Sequence, residues 1–337
     1  MTLNAPPCLR RLREHPSLLV RATETCNSAC IIILMSGERR SAPRDLVFGL
    51  HATGPITKIT GVYNVGAMNE RAAQADSFLI SRGIPKRFVE RARSIGPEKL
   101  FNVTSIEMTE EGALTQLTDG GVAIPLARAK WLYIVDSMTK YKMQKEAITL
   151  FKTITEVAPD LAEKSASLLW AKFKAGDATA IADVARTIVR EVADRSMPAA
   201  GDVEVHAVVA VTSSEIDYIR SKELWDTCNG LLAGKGFGSL KVPPAILAAD
   251  YRAVTGLLRS AADRDWAIQE VRPGTARQGE ALTSLLAEKM LHEGEDLRQI
   301  DGNPKIACNW SGNLFAAIAA KPASEAANLY RWLATLK

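Results

Sequence analysis

The sequence predicts a mixed α/β domain over residues 17–121, followed by a mainly α-helical domain over residues 128–337, with residues 1–16 as an N-terminal arm. Three observations carry that division. Before residue 120, short apolar runs of strand length alternate with turn residues and with helical patterns. After Asp119-Gly120-Gly121 the pattern changes to long amphipathic runs with apolar residues three or four apart, which places the boundary near Val122–Arg128. The length of 337 residues with 47% hydrophobic content suffices for two sizeable cores.

In chain order, Ser17–Thr23 is apolar and β-branched and reads as a buried strand. Thr25–Ser28 are residue types that end a strand and cap a helix. Ala29–Met35 is apolar on every face, which predicts a helix buried all round. Ser28 thus sits at a helix N-terminus, where unpaired backbone N–H groups and the positive end of the helix dipole can stabilise an oxyanion. Its commonest structural job would be that of an N-cap. Gly37–Arg44 reads as a turn and Leu46–Leu50 as a second strand, leaving His51 on the rim where ligands collect in open α/β sheets.

Thr53–Tyr63, with Gly54, Pro55 and Gly61, reads as a loop able to cover Ser28 as a lid. Asn64–Arg82 is a helix by its spacing of Val65, Met68, Ala72, Ala75, Phe78 and Leu79, stopped by Gly83. Pro85 opens a short helix over Lys86–Ser94, ended by Gly96-Pro97. Thr104-Ser105-Ile106-Glu107 is a capping-box pattern that starts a helix to Glu111, and Ala113–Leu117 is a last strand.

The pattern Cys26-Asn27-Ser28-Ala29-Cys30, an apolar helix ending at Gly37, Ala42-Pro43, and a strand ending Phe48-Gly49-Leu50-His51 resembles the Clp-protease/crotonase-like superfamily. It is most similar to Clp-like proteins described as periplasmic that carry a Cys-x-Ser-Ala-Cys turn. The resemblance spans about residues 18–117. It implies Ser28 as nucleophile, His51 as general base and the Ala29 N–H as one oxyanion donor, in a serine hydrolase of peptidase type. It also implies one or two further βα units at the front, with a Gly-rich turn supplying a second oxyanion donor. Met1–Pro7 holds no glycine, so the domain reads as truncated there. The acid of the triad is expected around Glu98–Asn102, but alignment on Glu111-Gly112 puts Leu100 in that place, which leaves Glu98, Asn102 or no residue to orient His51. Homo-oligomers are implied as well. The alternative reading is an inactive Clp-like scaffold whose helical domain binds a protein partner. Acyl-CoA chemistry ranks third, because it needs both backbone donors.

Composition excludes several classes. Lys and Arg number 42 against 38 Asp and Glu, a balance that asks for neither nucleic acid nor an anionic membrane. No apolar run approaches the ~20 residues of a membrane span. With no secretory pattern at the N-terminus, a cytoplasmic location is the default, although proteins of the resembled type are often exported. Peptides or proteins are the expected partners, and no cofactor or metal is expected. The five cysteines form no metal grid and suggest no disulfide framework, so reduced thiols are expected. Cys26 and Cys30 are the exception: a bridge between them would pin the turn that presents Ser28, and small packed residues are the alternative.

In the second domain, helices are predicted over residues 127–156, 161–174, 179–194, 214–232, 244–270, 278–293 and 312–336, with 203–211 as a β-branched strand or extended segment. The six tryptophans read as helix-packing anchors at a spacing suggestive of helical hairpins, although no repeat consensus is shared. Gly234–Gly238 reads as a linker in place of a phosphate loop, His206 as a core histidine, and His292 as a helix C-terminal residue favoured by the dipole.

Overall fold

The computed structural model describes residues 19–52, 65–95, 99–140, 143–232, 237 and 240–336. The arm over residues 1–16, Cys8, the lid expected over Thr53–Tyr63, Gly96-Pro97, Glu98 and most of Gly234–Gly238 lie outside them. The chain divides into two compact units, Met1–Tyr133 and Ile134–Lys337. The first is mixed α/β and the second, in its described residues, is helical.

In the first unit, β1 (Leu19–Arg21) and β2 (Cys26–Asn27) lead into α1 (Ala29–Ser36), then β3 (Arg39–Pro43) and β4 (Val47–Leu50) into α2 (Val65–Ser81) and α3 (Lys86–Ile95). β5 (Phe101–Thr104), α4 (Ser105–Glu110), β6 (Gln116–Asp119) and β7 (Val122–Ile124) follow. The first four strands alternate between two sheets. One has the order β1-β3-β6-β7, the other β2-β4-β5. β1, β3 and β6 run parallel and β7 turns back on β6, while β2 and β4 are parallel and β5 is antiparallel to β4.

The second sheet positions the site. Cys26, Phe48 and Val103 form one row across it, with relative exposures of 0, 0 and 1%. A second row, Asn27, Gly49 and Asn102, alternates to the opposite face. Gly49 leaves room for its neighbours there: a Cβ would lie 2.4 Å from Asn27 Oδ1 and 2.9 Å from Leu100 Cδ1, so both side chains would have to move.

The structure corrects several expectations. Gly37–Arg44 contains the strand β3, although Arg39-Arg40-Ser41 is polar. Arg40 is buried at 8% exposure because its guanidinium reaches the carbonyls of Arg82 at 3.1 Å and Gly112 at 3.3 Å, and burial beside Arg82 pulls its pKa below the usual arginine value. Arg82 in turn donates to the carbonyls of Met35 (2.8 Å) and Gly37 (2.9 Å), satisfying the end of α1. Helix α1 is buried on one side only, since Ile33 is half exposed. Phe101–Thr104, for which the local pattern predicts no strand, forms β5 because its partners on β4 complete the ladder.

Thr104 forms the expected capping box. Its Oγ1 accepts from the Glu107 amide at 3.2 Å, and the Glu107 carboxylate accepts from the Thr104 amide at 2.9 Å. Thr104→Ala is expected to lower the stability of this unit by about 1 kcal/mol. Urea unfolding checks it, with Thr104→Ser close to wild type, and an unmoved midpoint in the alanine variant contradicts the assignment.

The second unit is reached through α5 (Leu126–Lys140), inside which the division falls. It contains α6 (Lys145–Val157), α7 (Pro159–Ala175), α8 (Ala178–Ser196), α9 (Asp202–Ser221), α10 (Trp225–Leu232), α11 (Pro244–Asp263) and α12 (Thr275–His292). After a 3₁₀ turn (Leu297–Gly302) come α13 (Pro304–Ala319) and α14 (Ala323–Ala334). Helix α9 is the hub, packed on α11, α13 and α14. It contains residues 203–211, which are therefore helix and not strand. Val205, Val209, Ile216 and Ile219 are fully buried at helical spacing, and Asp202 and Glu204 sit in the first turn, where the dipole favours them. Tertiary burial overrides the β propensity of the valines.

Arg331, 5% exposed, spans this unit's core to reach Asp202 at 2.7 Å and the Ala200 carbonyl at 2.6 Å. Its charge is thereby paired. The helices expected over 127–156, 214–232 and 312–336 are each interrupted. In the last, Pro322 caps a new helix after the turn at Ala320-Lys321. Trp131 and Trp170 are fully buried, and the other four tryptophans partly. His206 donates from Nε2 to the Ala319 carbonyl at 2.8 Å, as a satisfied core histidine does.

Candidate functional site

Ser28 occupies the turn between β2 and α1 with φ 52° and ψ −116°. A serine rarely adopts such a conformation, and holding it costs on the order of 1–3 kcal/mol, which the surrounding structure must supply. The supports are visible. The Ser28 amide donates to the Gly49 carbonyl at 3.3 Å, continuing the β2–β4 ladder up to the turn. Cys26 and Cys30, two residues to either side, are joined by a disulfide with their Cα atoms 5.2 Å apart.

This is the strand–turn–helix geometry that lifts a nucleophilic serine above a sheet. Glycines flank the serine at these two positions in the Gly-x-Ser-x-Gly form of the elbow; here a covalent bridge spans them. Cys26 is in the strand and Cys30 in the helix, so the bridge ties the two arms of the turn together.

Ser28 and Ala29 are exposed, and the Ser28 side chain makes no capping hydrogen bond to its helix. The Ile31 amide returns to the Ser28 carbonyl at 3.0 Å, whereas the amides of Ala29 and Cys30 have no backbone acceptor among the described residues. No acidic residue stands in the first turn of α1 to neutralise its positive end. The oxyanion donor expected at Ala29 thus has a neighbour at Cys30 that the sequence reading did not name.

His51 follows β4 directly. Asn27 is level with Gly49 on the parallel neighbour β4, so Ser28 and His51 follow the same ends of adjacent strands, which lie ~4.8 Å apart. His51 Nδ1 is 2.8 Å from the Ala52 carbonyl. A carbonyl only accepts, so Nδ1 carries the proton and Nε2 keeps its lone pair, the tautomer that a general base requires. A backbone carbonyl therefore contacts the ring at Nδ1. Asn102 is exposed on β5, level with Gly49 and not hydrogen-bonded to His51, and Glu98 lies outside the described residues. In this conformation the Ser28 hydroxyl and the His51 ring share no hydrogen bond, a contact that often tightens only with substrate bound.

The cysteines depart from the reduced state expected of them. Besides Cys26–Cys30, Cys228 and Cys308 are bridged across 80 residues of chain. Among the described residues no three His, Cys, Asp or Glu side chains gather as a metal ion would need, and no helix is long and apolar enough to cross a membrane. Compared with protein-family models, with curated proteins and with solved structures, the chain matches none.

Proposed function

We propose that this protein is a serine hydrolase of Clp/crotonase-like type that acts on an amide or ester through Ser28 and His51. The observation that carries the reading is the backbone of Ser28, a strained non-glycine turn braced by a disulfide and by the edge of β4. A helix N-cap alone needs neither the strain nor the bracing. In the reaction Ser28 Oγ attacks the acyl carbonyl carbon while His51 Nε2 takes the hydroxyl proton. The oxyanion of the tetrahedral intermediate accepts from the amides of Ala29 and Cys30 at the positive end of α1. His51 then passes its proton to the leaving nitrogen or oxygen, and water, activated by the same imidazole, releases the acyl group. The Ala52 carbonyl stands where a triad places a carboxylate; it orients the ring but adds no negative charge to the imidazolium.

The two disulfides support action in an oxidising compartment in preference to the cytoplasm. The resemblance that suggests the fold also suggests homo-oligomers and peptide substrates, and both belong to this reading.

Labelling by a fluorophosphonate probe tests it. Wild type is expected to label at a single serine, Ser28→Ala not at all, and His51→Ala about 10²–10⁴-fold more slowly. A folded wild type that stays unlabelled defeats the hydrolase reading and favours an inactive scaffold whose helical unit binds a protein partner.

A further inference from the structure

The helical unit encloses a cavity of about 260 Å³ between α8, α9, α11 and α14. That volume is at the small end of ligand sites, which run roughly 300–1,000 Å³, and it suits a small molecule better than a peptide. Most of the wall is apolar, with Leu231, Val254, Leu257 and Phe315 among its residues. Three carboxylates interrupt it, Asp194 from α8, Glu215 from α9 and Asp250 from α11, and of these Asp194 is paired with Arg190.

Glu215 is only 5% exposed and makes no hydrogen bond among the described residues, although it faces the cavity. Leaving a carboxylate in that state is costly unless a partner arrives. The cations on the wall are largely committed elsewhere. Arg190 is paired with Asp194 at 3.1 Å, and Arg186 with Asp183 at 3.1 Å, while the Arg186 guanidinium also lies over the Phe237 ring at 5.5 Å. Arg186 is near enough to Glu215 to favour its charged form, but burial and the Asp250 charge oppose this more strongly. Tyr251 and Tyr330, also on the wall, are held protonated by burial.

We infer that this cavity is a binding site for a small hydrophobic amine, whose ammonium group pairs with Glu215 and Asp250 and whose hydrocarbon body fills the apolar remainder. Charge complementarity selects the class. An anion would meet the Glu215 and Asp250 carboxyls, and a neutral molecule would bring no positive charge to them. Burial pushes Glu215 up to about 9 and Asp250 to about 6, so near neutral pH the pair holds one proton. An entering ammonium makes that proton superfluous, and binding releases it. The charged and titratable groups that share the wall with the pair are Arg186, Arg190, Asp194, Tyr251 and Tyr330. The inference does not depend on Ser28.

Isothermal titration of the full-length Ser28→Ala protein with hexylamine, hexanol and hexanoate tests it. The amine is expected to bind at least tenfold more tightly than either isostere, with an enthalpy that varies with buffer ionisation because protons are released at pH 7. Glu215→Gln is isosteric and removes a buried ionisable group, so it is expected to fold; it should lose tenfold or more of the amine affinity, and Asp250→Asn should lose affinity in the same sense. Hexanol binding as tightly as hexylamine would mark a merely apolar void. Preference for hexanoate would mark an arginine-directed site. Either result, or no amine binding to folded protein, overturns the inference.

Discussion

Replacing Cys228 and Cys308 together by alanine is expected to destabilise the helical unit by about 4 kcal/mol, the largest loss foreseen from any one covalent change. The bridge joins α10 to α13 across 80 residues of intervening chain. In the chain-entropy model, a loop of that size removes about 4–5 kcal/mol of disorder from the unfolded state. Both cysteines are fully buried among Ile216, Ile219, Phe237 and Val242, so the bridge also closes a cluster that has no other covalent tie. For a unit of this size each kcal/mol shifts the midpoint by about 2–4 °C, which gives a fall of about 8–16 °C. Calorimetry of the two proteins under non-reducing conditions measures it. A shift below 3 °C would mean that the packing alone holds α10 against α13.

Glu215→Gln is expected to stabilise the protein at alkaline pH. In the wild-type native state burial raises the Glu215 carboxyl from 4.5 to about 9 and Asp250 from 3.8 to about 6. The folded chain therefore keeps a proton that the unfolded chain has already released. Below pH 4.5 both states are protonated at Glu215 and the difference vanishes. As pH rises through the window to about 9, the unfolded state gains the advantage, and stability declines until the native carboxyl ionises as well. Asp250 contributes in the same direction over its lower window, and Arg186 works against the Glu215 shift by favouring its charged form. The glutamine variant lacks the Glu215 cost. Its advantage over wild type should be about 1 kcal/mol or less at pH 5 and on the order of 5 kcal/mol at pH 9. Urea unfolding at the two pH values, read by tryptophan fluorescence, decides it. Equal gains at both would place Glu215 outside any buried pair.

The local structure around the candidate site was legible because it rests on local rules. A strand ending in Cys26-Asn27, a serine at the start of an apolar helix, and a second strand ending before His51 all follow from residue type and period. The capping box at Thr104 was equally plain, since both of its partners lie within four residues. The misread elements were those whose environment lies far along the chain. Arg39–Pro43 is a strand because distant helix ends offer carbonyls to Arg40, and 203–211 is a helix because α11, α13 and α14 bury its valines. Neither fact leaves a trace in the local pattern.

By itself the sequence determined a mixed α/β region with a helical region after it, and it named Ser28 and His51, because hydrophobic period and capping chemistry act over a few residues. Only the tertiary structure decided the positive φ of Ser28, the bridge that spans its turn, the Ala52 carbonyl on His51, and the meeting of Glu215 with Asp250 from helices 35 positions apart in the chain. Each of these depends on which surfaces are buried against which, and burial is a property of the packed chain: it sets the energy of a strained backbone, of a thiol pair and of an uncompensated charge, and residue type alone fixes none of them.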